Sequence, residues 1–235
     1  MKGYWLDLGF ARYTPAFAVQ EALLAARIAG RLPPTIILQE NPPTFTLGRS
    51  GTESSVLVSR AELAACGIEL IEVNRGGDVT YHGPGQLIAS PLLYLGDINL
   101  NANQYMNRLE DVLIAVLAEF GLTAQRREEY PGAWLGEAKI GSVGIGVRHG
   151  YTFHGISLNV ELDLAPFQLI NPCGVVAMPV TSMHAALHRS VSMAEVRSVL
   201  RRVLCRTFDL ELNEIMLAEV QSNPIGFQPD QGSEP

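Results

Sequence analysis

Apolar side chains recur at helical spacing in long stretches of this chain. Between Asn103 and Gly121 they fall three and four residues apart, which predicts a helix with one buried face. A second series follows Ser192, and the pairing of Ser192 with Glu195 is typical of a capping box. Residues 14–30 predict a third helix, which begins with a Thr-Pro pair and ends at a glycine.

Shorter β-rich runs predict strands between these helices. In residues 33–49, two β-branched runs flank Asn-Pro-Pro, which predicts a strand pair joined by a loop. Residues 68–74 alternate like a strand, and residues 86–95 form another apolar run. Glycine and proline punctuate residues 75–86, which predicts a loop. Residues 132–160 alternate β-rich runs with turns and predict a meander.

The mixed order of these elements determines the expected fold class. It predicts an α/β (α+β) domain with a mixed, largely antiparallel sheet flanked by helices, because a regular βαβ series is missing. A chain of 235 residues with 47% hydrophobic residues can bury one full core. We expect a single domain over residues 1–217 and a mobile, polar, Pro/Gly-rich C-terminal tail over residues 218–235.

Charge and composition exclude several classes of function. A formal net charge of −7 argues against a general nucleic-acid binder, which needs clustered cations. Uninterrupted apolar runs stay well short of a membrane span, and the N-terminus lacks the pattern of a signal peptide. Three cysteines without a CxxC motif indicate neither a disulfide framework nor a metal site. We therefore expect a cytoplasmic protein that binds neither nucleic acid nor membrane. A monomer is a separate expectation that these features do not determine.

Lysine is rare in this chain, and its one interior use is notable. Only Lys2 and Lys139 occur, and Lys139 lies within the glycine-rich apolar run 138–146. A desolvated lysine can exchange its proton near neutral pH, whereas arginine stays charged. Lys139 is therefore a candidate for acid and base chemistry. The alternative is a lysine at a strand edge, with its stem on apolar surface and its ammonium in water.

Cys173 is the strongest candidate nucleophile. Asn171 and Pro172 precede it and Gly174 follows it, so the thiol lies on a constrained turn that can present it to a pocket. It can equally be a small buried loop residue. A thiol with a pKa near 8.5 needs a nearby cation or base to be a thiolate at neutral pH. Lys139 matches this need best, and the other candidates are His82, His149 and His154.

The loop of residues 75–86 is a candidate binding segment. It places Arg75, Asp78, His82 and Gln86 among four glycines and a proline, so its backbone can approach a ligand closely. The patterns of the phosphate-binding loops, GxxxxGK[ST] and GxGxxG before a helix, do not occur in it. Nucleotide binding is therefore weakly supported, and an ordinary surface loop is the alternative.

Four stretches taken together resemble the lipoyl(octanoyl) transferase family. They are "RGGDVTYHGPGQL", "AKIGSVGIGV", "FHGISLNV" and "INPCG", and "NPPTFTLGR" extends the resemblance towards the N-terminus. The resemblance covers roughly residues 35 to 205. One departure is Ser90 before Pro91, where the family often has an aromatic residue, and it concerns the local shape of an acyl pocket.

The resemblance implies a fold similar to the catalytic domain of biotin and lipoate protein ligases. It implies transfer of an octanoyl group from octanoyl-acyl carrier protein to a lysine of lipoyl domains, in 2-oxoacid dehydrogenase complexes and in the glycine cleavage H protein. Neither ATP nor a metal is expected. Cys173 matches the family's acyl-thioester nucleophile, and Lys139 matches the lysine that lowers its pKa. The positions matching the substrate-binding segments are Arg75, Gly76, Gly77, Asp78, Val79, Thr80, Tyr81, His82, Ser142, Val143, Gly144, Gly155, Ile156 and Ser157.

Three other classes of function remain open from the residues alone. An ATP-dependent lipoate or biotin ligase of the same fold would not need Cys173. A cysteine-dependent thioesterase or hydrolase would use water as the acceptor. A non-catalytic module that binds acyl carrier protein or lipoyl domains would keep its cellular function after Cys173→Ser.

Overall fold

The helices lie largely where the apolar periodicity predicts them. The computed structural model describes residues 1–172 and 175–222. The α-helices in this part of the chain are α1 (Tyr13–Ile28), α2 (Arg60–Ala65), α3 (Ala102–Glu119), α4 (Met183–Leu187), α5 (Met193–Phe208) and α6 (Leu217–Ser222). Short 3-10 helices span Glu53–Ser55 and Ala165–Leu169. The three long predicted helices are thus confirmed as α1, α3 and α5.

The strands form two sheets. They are β1 (Lys2–Phe10), β2 (Thr35–Glu40), β3 (Thr44–Leu47), β4 (Glu69–Glu72), β5 (Val79–His82), β6 (Gln86–Leu92), β7 (Gly132–Leu135), β8 (Ala138–Arg148), β9 (Tyr151–Asn159) and β10 (Glu211–Glu214). The larger sheet has seven strands in the order β10-β1-β2-β6-β9-β8-β7, and the smaller has the order β4-β3-β5. Only the β10–β1 and β1–β2 pairs of the larger sheet are parallel. A mixed, largely antiparallel sheet is therefore confirmed.

Helices α3 and α5 cover one face of the larger sheet. The helix α3 begins with a reciprocal capping box between Asn101 and Gln104, which satisfies backbone N–H groups at its first turn. Its periodic apolar residues are buried together with those of α5 and with inward-facing residues of the sheet. This face holds the main hydrophobic core.

Helix α1 covers the opposite face with a smaller core. Leu23 and Leu24 pack with Leu6, Ile37 and Phe153 of the sheet. Because successive strand residues point to opposite faces, Ile37 joins this core while Ile36 and Leu38 join the main one. The protein is therefore a three-layer arrangement of helix, sheet and helices.

Two local predictions need correction. The strands β2 and β3 do not pair with each other, because Asn41-Pro42-Pro43 carries the chain from the larger sheet into the smaller one. The segment 75–86 is not loop throughout, since Val79–His82 form β5 and pair with β3. The β-branched and aromatic residues in this segment favour a strand even though glycines flank it.

The predicted start of the tail falls inside a helix. Helix α6 spans Leu217–Ser222, and Val220 packs in the smaller core beside α1. The packed part of the chain therefore continues past residue 217. Residues 223–235 lie outside the described part of the chain.

Candidate active site

A cavity of about 550 Å³ lies between α1, the β5 segment and the larger sheet. This volume is within the range of about 300–1,000 Å³ that is typical of small-molecule sites. Its apolar lining includes Phe17, Ile88, Met106, Val143, Ile145, Ile156, Met178 and Val180. Its polar lining includes Tyr13, Gln20, Arg49, Arg75, His82, Asn103, Lys139, Ser142, His154 and Asn159.

The cavity extends along the edge of β8. Val143 and Ile145 pack towards the main core, so Ser142 and Gly144 point to the opposite face of the strand. All four residues line the cavity, which therefore reaches around the strand edge. The loop before β5 covers this edge, since the Gly76 N–H donates to the Ile145 carbonyl at 2.9 Å.

The structure places most of the predicted site residues around this one cavity. The residues that line it are Lys139, Arg75, Gly76, Gly77, Asp78, Val79, Thr80, His82, Ser142, Val143, Gly144, Gly155, Ile156 and Ser157. Tyr81 does not line it: its ring is buried and packs edge-on against Phe45 and Phe167. Tyr81 therefore packs in the core of the smaller sheet and is not among the residues that line the cavity. Cys173 and Gly174 lie outside the described residues.

A buried hydrogen-bond chain begins at Arg75. Its guanidinium donates to the Thr46 carbonyl at 2.7 Å and to the Thr46 hydroxyl at 2.9 Å, and also to the Gly76 carbonyl at 2.9 Å. Thr46 Oγ1 lies 3.3 Å from His82 Nε2, and His82 Nδ1 lies 2.7 Å from Gln86 Oε1. This chain fixes Arg75 and β5 relative to β3.

The same chain continues to the backbone of Lys139. Gln86 Nε2 donates to Asn159 Oδ1 at 2.9 Å, and Asn159 Nδ2 donates to the Thr181 carbonyl at 2.9 Å. The Thr181 N–H in turn donates to the Lys139 carbonyl at 2.9 Å. Because these amides are buried and paired, they resist rearrangement. The predicted binding segment and the predicted catalytic lysine are thus parts of one network.

His82 is neutral in this network. Because Gln86 donates through its amide nitrogen, its oxygen accepts the Nδ1 proton, and His82 Nε2 is left to accept from Thr46. Burial lowers the pKa of His82 from 6.5 to about 4, with a further lowering by the Arg75 charge. His82 therefore lines the cavity as a neutral ring with both nitrogens hydrogen-bonded, and it is a weak base.

His154 adopts a backbone conformation that is uncommon in a strand. Its φ of 54° is left-handed, and its ring stacks on Phe17 of α1 with centroids 5.1 Å apart. His154 Nε2 lies 2.8 Å from Asn74 Oδ1, so this side chain joins α1 to the loop before β5. Burial, followed by the charge of Arg75, lowers its pKa to about 3. His149, by contrast, occupies the two-residue turn between β8 and β9.

Lys139 is 7% exposed and lines the cavity, so the sequence-based alternative of an ammonium in open water is excluded. Its Nζ lies 5.5 Å from the centre of the Trp134 ring. Its backbone bonds on both sides to residues 179–181, through the Pro179 carbonyl and the Thr181 N–H, at 2.9 Å each. Pro172, the residue before Cys173 in the sequence, and Met178, five residues after it, line the same cavity.

Sequence reasoning missed the contribution of α1 to the cavity. Tyr13, Phe17 and Gln20 line it from successive turns of this helix, and the Tyr13 ring stacks on His82 with centroids 5.7 Å apart. Burial raises the pKa of Tyr13 to about 12, which keeps its hydroxyl protonated. A glutamine in line with two aromatic residues on one helix face is the signal that could have identified this surface.

Within residues 1–172 and 175–222, no three His, Cys, Asp or Glu side chains come together as ligands of a metal ion would. The helices of this part of the chain are also not long and apolar enough to cross a bilayer.

Comparison with known proteins agrees with this geometry. The lipoyl protein ligase A/B catalytic domain matches residues 12–205. The chain is 46% identical over 191 residues to an octanoyltransferase of Geobacter metallireducens, covering 81% of this chain and 86% of the relative. It is 39% identical over 222 residues to the octanoyltransferase of Geotalea uraniireducens, covering 94% and 99%. Among solved structures, lipoate-protein ligase A bound with ATP is similar, with a TM-score of 0.76, 21% identity and coverage of 92% and 90%.

The chain therefore belongs to the family of the lipoyl protein ligase A/B catalytic domain, and its fold is that of the lipoate ligases. Within this family it groups with the octanoyltransferases, which makes it an acyltransferase of protein lipoylation.

Proposed function

We propose that the protein transfers an octanoyl group from octanoyl-acyl carrier protein to a lysine of a lipoyl domain through a thioester on Cys173. The observation that carries this proposal is the shared cavity: buried Lys139 lines it together with Pro172, the residue before Cys173, and Met178, five residues after it. A lysine beside a thiol can hold it as the thiolate, which is the reactive form.

The first step exchanges one thioester for another. Lys139 Nζ takes the proton of the Cys173 thiol, and the sulfur attacks the carbonyl carbon of the donor thioester. The bond between this carbon and the donor sulfur then breaks, and the donor leaves as a thiol with the proton from Lys139. Because one thioester replaces another, the step is near balance and requires no ATP.

The second step forms an amide. The acceptor lysine has a solution pKa near 10.4, so its amine must lose a proton to attack. That proton goes to solvent, and the neutral amine attacks the thioester carbon. As the amide forms, the second proton of the attacking nitrogen passes to Lys139, the carbon–sulfur bond to Cys173 breaks, and the thiolate takes this proton from Lys139. Lys139 is a better candidate for this base than His82, whose ring nitrogens are both paired and whose pKa is lowered to about 4.

The cavity lining supports an acyl substrate. Phe17, Ile88 and Ile156 offer apolar surface to an alkyl chain, and each buried CH₂ contributes about 0.8 kcal/mol. Glycine-rich backbone at Gly76, Gly77 and Gly144 lines the same space and can approach a polar head group closely. We assign binding to these segments, with no resident metal or nucleotide.

The partners we propose are octanoyl-acyl carrier protein as donor and, as acceptors, the lipoyl domains of 2-oxoacid dehydrogenase complexes and the glycine cleavage H protein. The protein acts on them as a cytoplasmic monomer.

Intact-protein mass spectrometry tests the covalent step. The full chain is mixed with octanoyl-acyl carrier protein without ATP, and we expect a hydroxylamine-labile octanoyl adduct that an apo-lipoyl domain discharges. Cys173→Ala should abolish the adduct, whereas Cys66→Ala, at the C-cap of α2, and Cys205→Ala, on α5, should keep it. An adduct that persists in Cys173→Ala contradicts the proposal. Transfer only from free acid with ATP would favour a ligase instead.

A further inference from the structure

One buried carboxylate near the cavity has no part in the reaction described above. Glu110 lies on the buried face of α3 among apolar neighbours such as Leu109 and Leu113, and it is 4% exposed. Arg126 is a cation beside it, with Nε 3.8 Å from Glu110 Oε2. A carboxylate in an apolar helix face carries a large desolvation penalty unless its oxygens are bonded.

The close partner of Glu110 is the backbone of Gly132. Glu110 Oε1 accepts the Gly132 N–H at 2.8 Å, at the start of β7. Gly132 has a φ of 147°, and a Cβ there would lie 2.2 Å from the Gly141 carbonyl oxygen and 2.9 Å from Lys139 Cε. The stem of Lys139 therefore lies directly against the backbone that Glu110 holds.

The charges around Glu110 are consistent with this arrangement. Burial raises the pKa of Glu110, while the Gly132 N–H bond, Arg126 and, more weakly, Lys139 lower it and Asp111 raises it. The ionised carboxylate thus interacts favourably with the ammonium form of Lys139 as well as with the Gly132 amide.

We infer that Glu110 is a positioning residue for Lys139: its hydrogen bond to Gly132 fixes the start of β7 against the lysine stem and so sets the place of the ammonium in the cavity. This inference rests on the proposed function, in which Lys139 must reach a thiol and then an amine. A shift of about 1 Å in such a group can cost up to about a hundredfold in rate.

Two substitutions separate the hydrogen bond from the side chain as a whole. Glu110→Ala removes the acceptor for Gly132, and we expect the single-turnover rate of acylation from octanoyl-acyl carrier protein to fall about tenfold with little change in KM. Glu110→Gln keeps an oxygen acceptor, and we expect its rate to stay within about threefold of wild type. An alanine variant at the wild-type rate, or a glutamine variant as slow as alanine, overturns the inference.

The rarity of lysine allows a readout that does not depend on acyl transfer. Because the chain has only Lys2 and Lys139, trace acetylation with acetic anhydride, followed by peptide mass spectrometry, measures Lys139 against exposed Lys2 as an internal reference. In Glu110→Ala the Lys139 to Lys2 ratio should rise at least about threefold, and in Glu110→Gln it should stay near wild type. Equal ratios in all three proteins overturn the inference.

Val116→Ala is the matched control for lost stability. Val116 is fully buried on the same helix and packs in the main core. We expect this variant to be less stable yet acylated at the wild-type rate per folded molecule, and equal slowing in Val116→Ala would overturn the inference. Absence of acylation in the wild-type protein would instead count against the proposed function, while the labelling ratios still test the position of Lys139.

Discussion

The two faces of the seven-stranded sheet differ in what they bury. The face under α3 and α5 buries an almost wholly apolar core. The face under α1 borders the cavity and buries Arg75, His82, Gln86 and Asn159 in one hydrogen-bonded chain. Each of these polar groups would cost free energy if it lost its partner.

The face under α3 and α5 mainly supplies stability, and the face under α1 mainly supplies reactivity. An apolar core tolerates small changes in geometry, since its attraction is non-directional. A polar network is directional, so it fixes the groups around a reacting centre. The carboxylate of Glu110 is the point where a helix of the apolar face reaches Gly132 and the lysine stem.

The largest effect is expected on the cavity face, from Lys139→Arg. Arginine keeps the positive charge but cannot give up its proton, so we expect octanoyl transfer to fall by at least about a hundredfold. Steady-state transfer to an apo-lipoyl domain measures this. Lys2→Arg, at the exposed start of β1, is the control and should be unchanged. Lys139→Arg at the wild-type rate would exclude proton transfer by this residue.

On the apolar face, Leu204→Ala should lower the free energy of unfolding by about 3 kcal/mol, because it leaves a cavity in a fully buried part of α5. Urea denaturation measures this loss. The rate per folded molecule should stay at the wild-type value. A slowed reaction at full folding would show that the two faces are not separable.

Acid should destabilise the cavity face through its neutral histidines. The unfolded chain binds a proton at His82 near pH 6.5, but the folded protein does so only near pH 4, so stability falls as the pH drops from 6.5 towards 4. At pH 5 the expected loss from His82 is about 2 kcal/mol. His154 acts in the same direction, and Glu110, whose pKa is raised, acts in the opposite one.

Urea denaturation at pH 7.5 and pH 5.0 measures this loss, and His82→Gln should reduce the difference between the two conditions. Equal stability of the wild-type protein at both pH values would argue against a neutral, buried His82.

The smallest effect is expected from removing one hydroxyl of the polar chain. In Thr46→Val, Arg75 and His82 each lose a partner, so we expect a loss of about 1 to 2 kcal/mol in stability and a severalfold slower transfer. Thr35→Val is the control, because Thr35 bonds only locally to the Pro33 carbonyl, away from the cavity. Equal effects of the two variants on the rate would show that the hydrogen-bond chain from Arg75 to Asn159 does not organise the site.

Much of the architecture could be predicted from local patterns. The apolar periodicity of α3 and α5 and the alternation in β8 and β9 are repeated over many residues, so they predict these elements well. The partners of β2 and β3 could not be predicted in this way. Each is a short apolar run, and pairing across the chain depends on tertiary contacts that a local pattern does not contain.

The features of the candidate site also fall into those that local sequence predicts and those that depend on tertiary contacts. The sequence by itself determined the residue types and the family: a lone interior lysine, a cysteine between proline and glycine, and a glycine-rich segment can be recognised because each is chemically unusual in its place. Only the tertiary structure decided that Tyr81 faces a core, that His82 and His154 are neutral, that α1 lines the cavity, and that Glu110 bonds to Gly132. Burial and hydrogen-bond partners come from residues distant in sequence, and these set a side chain's direction and charge.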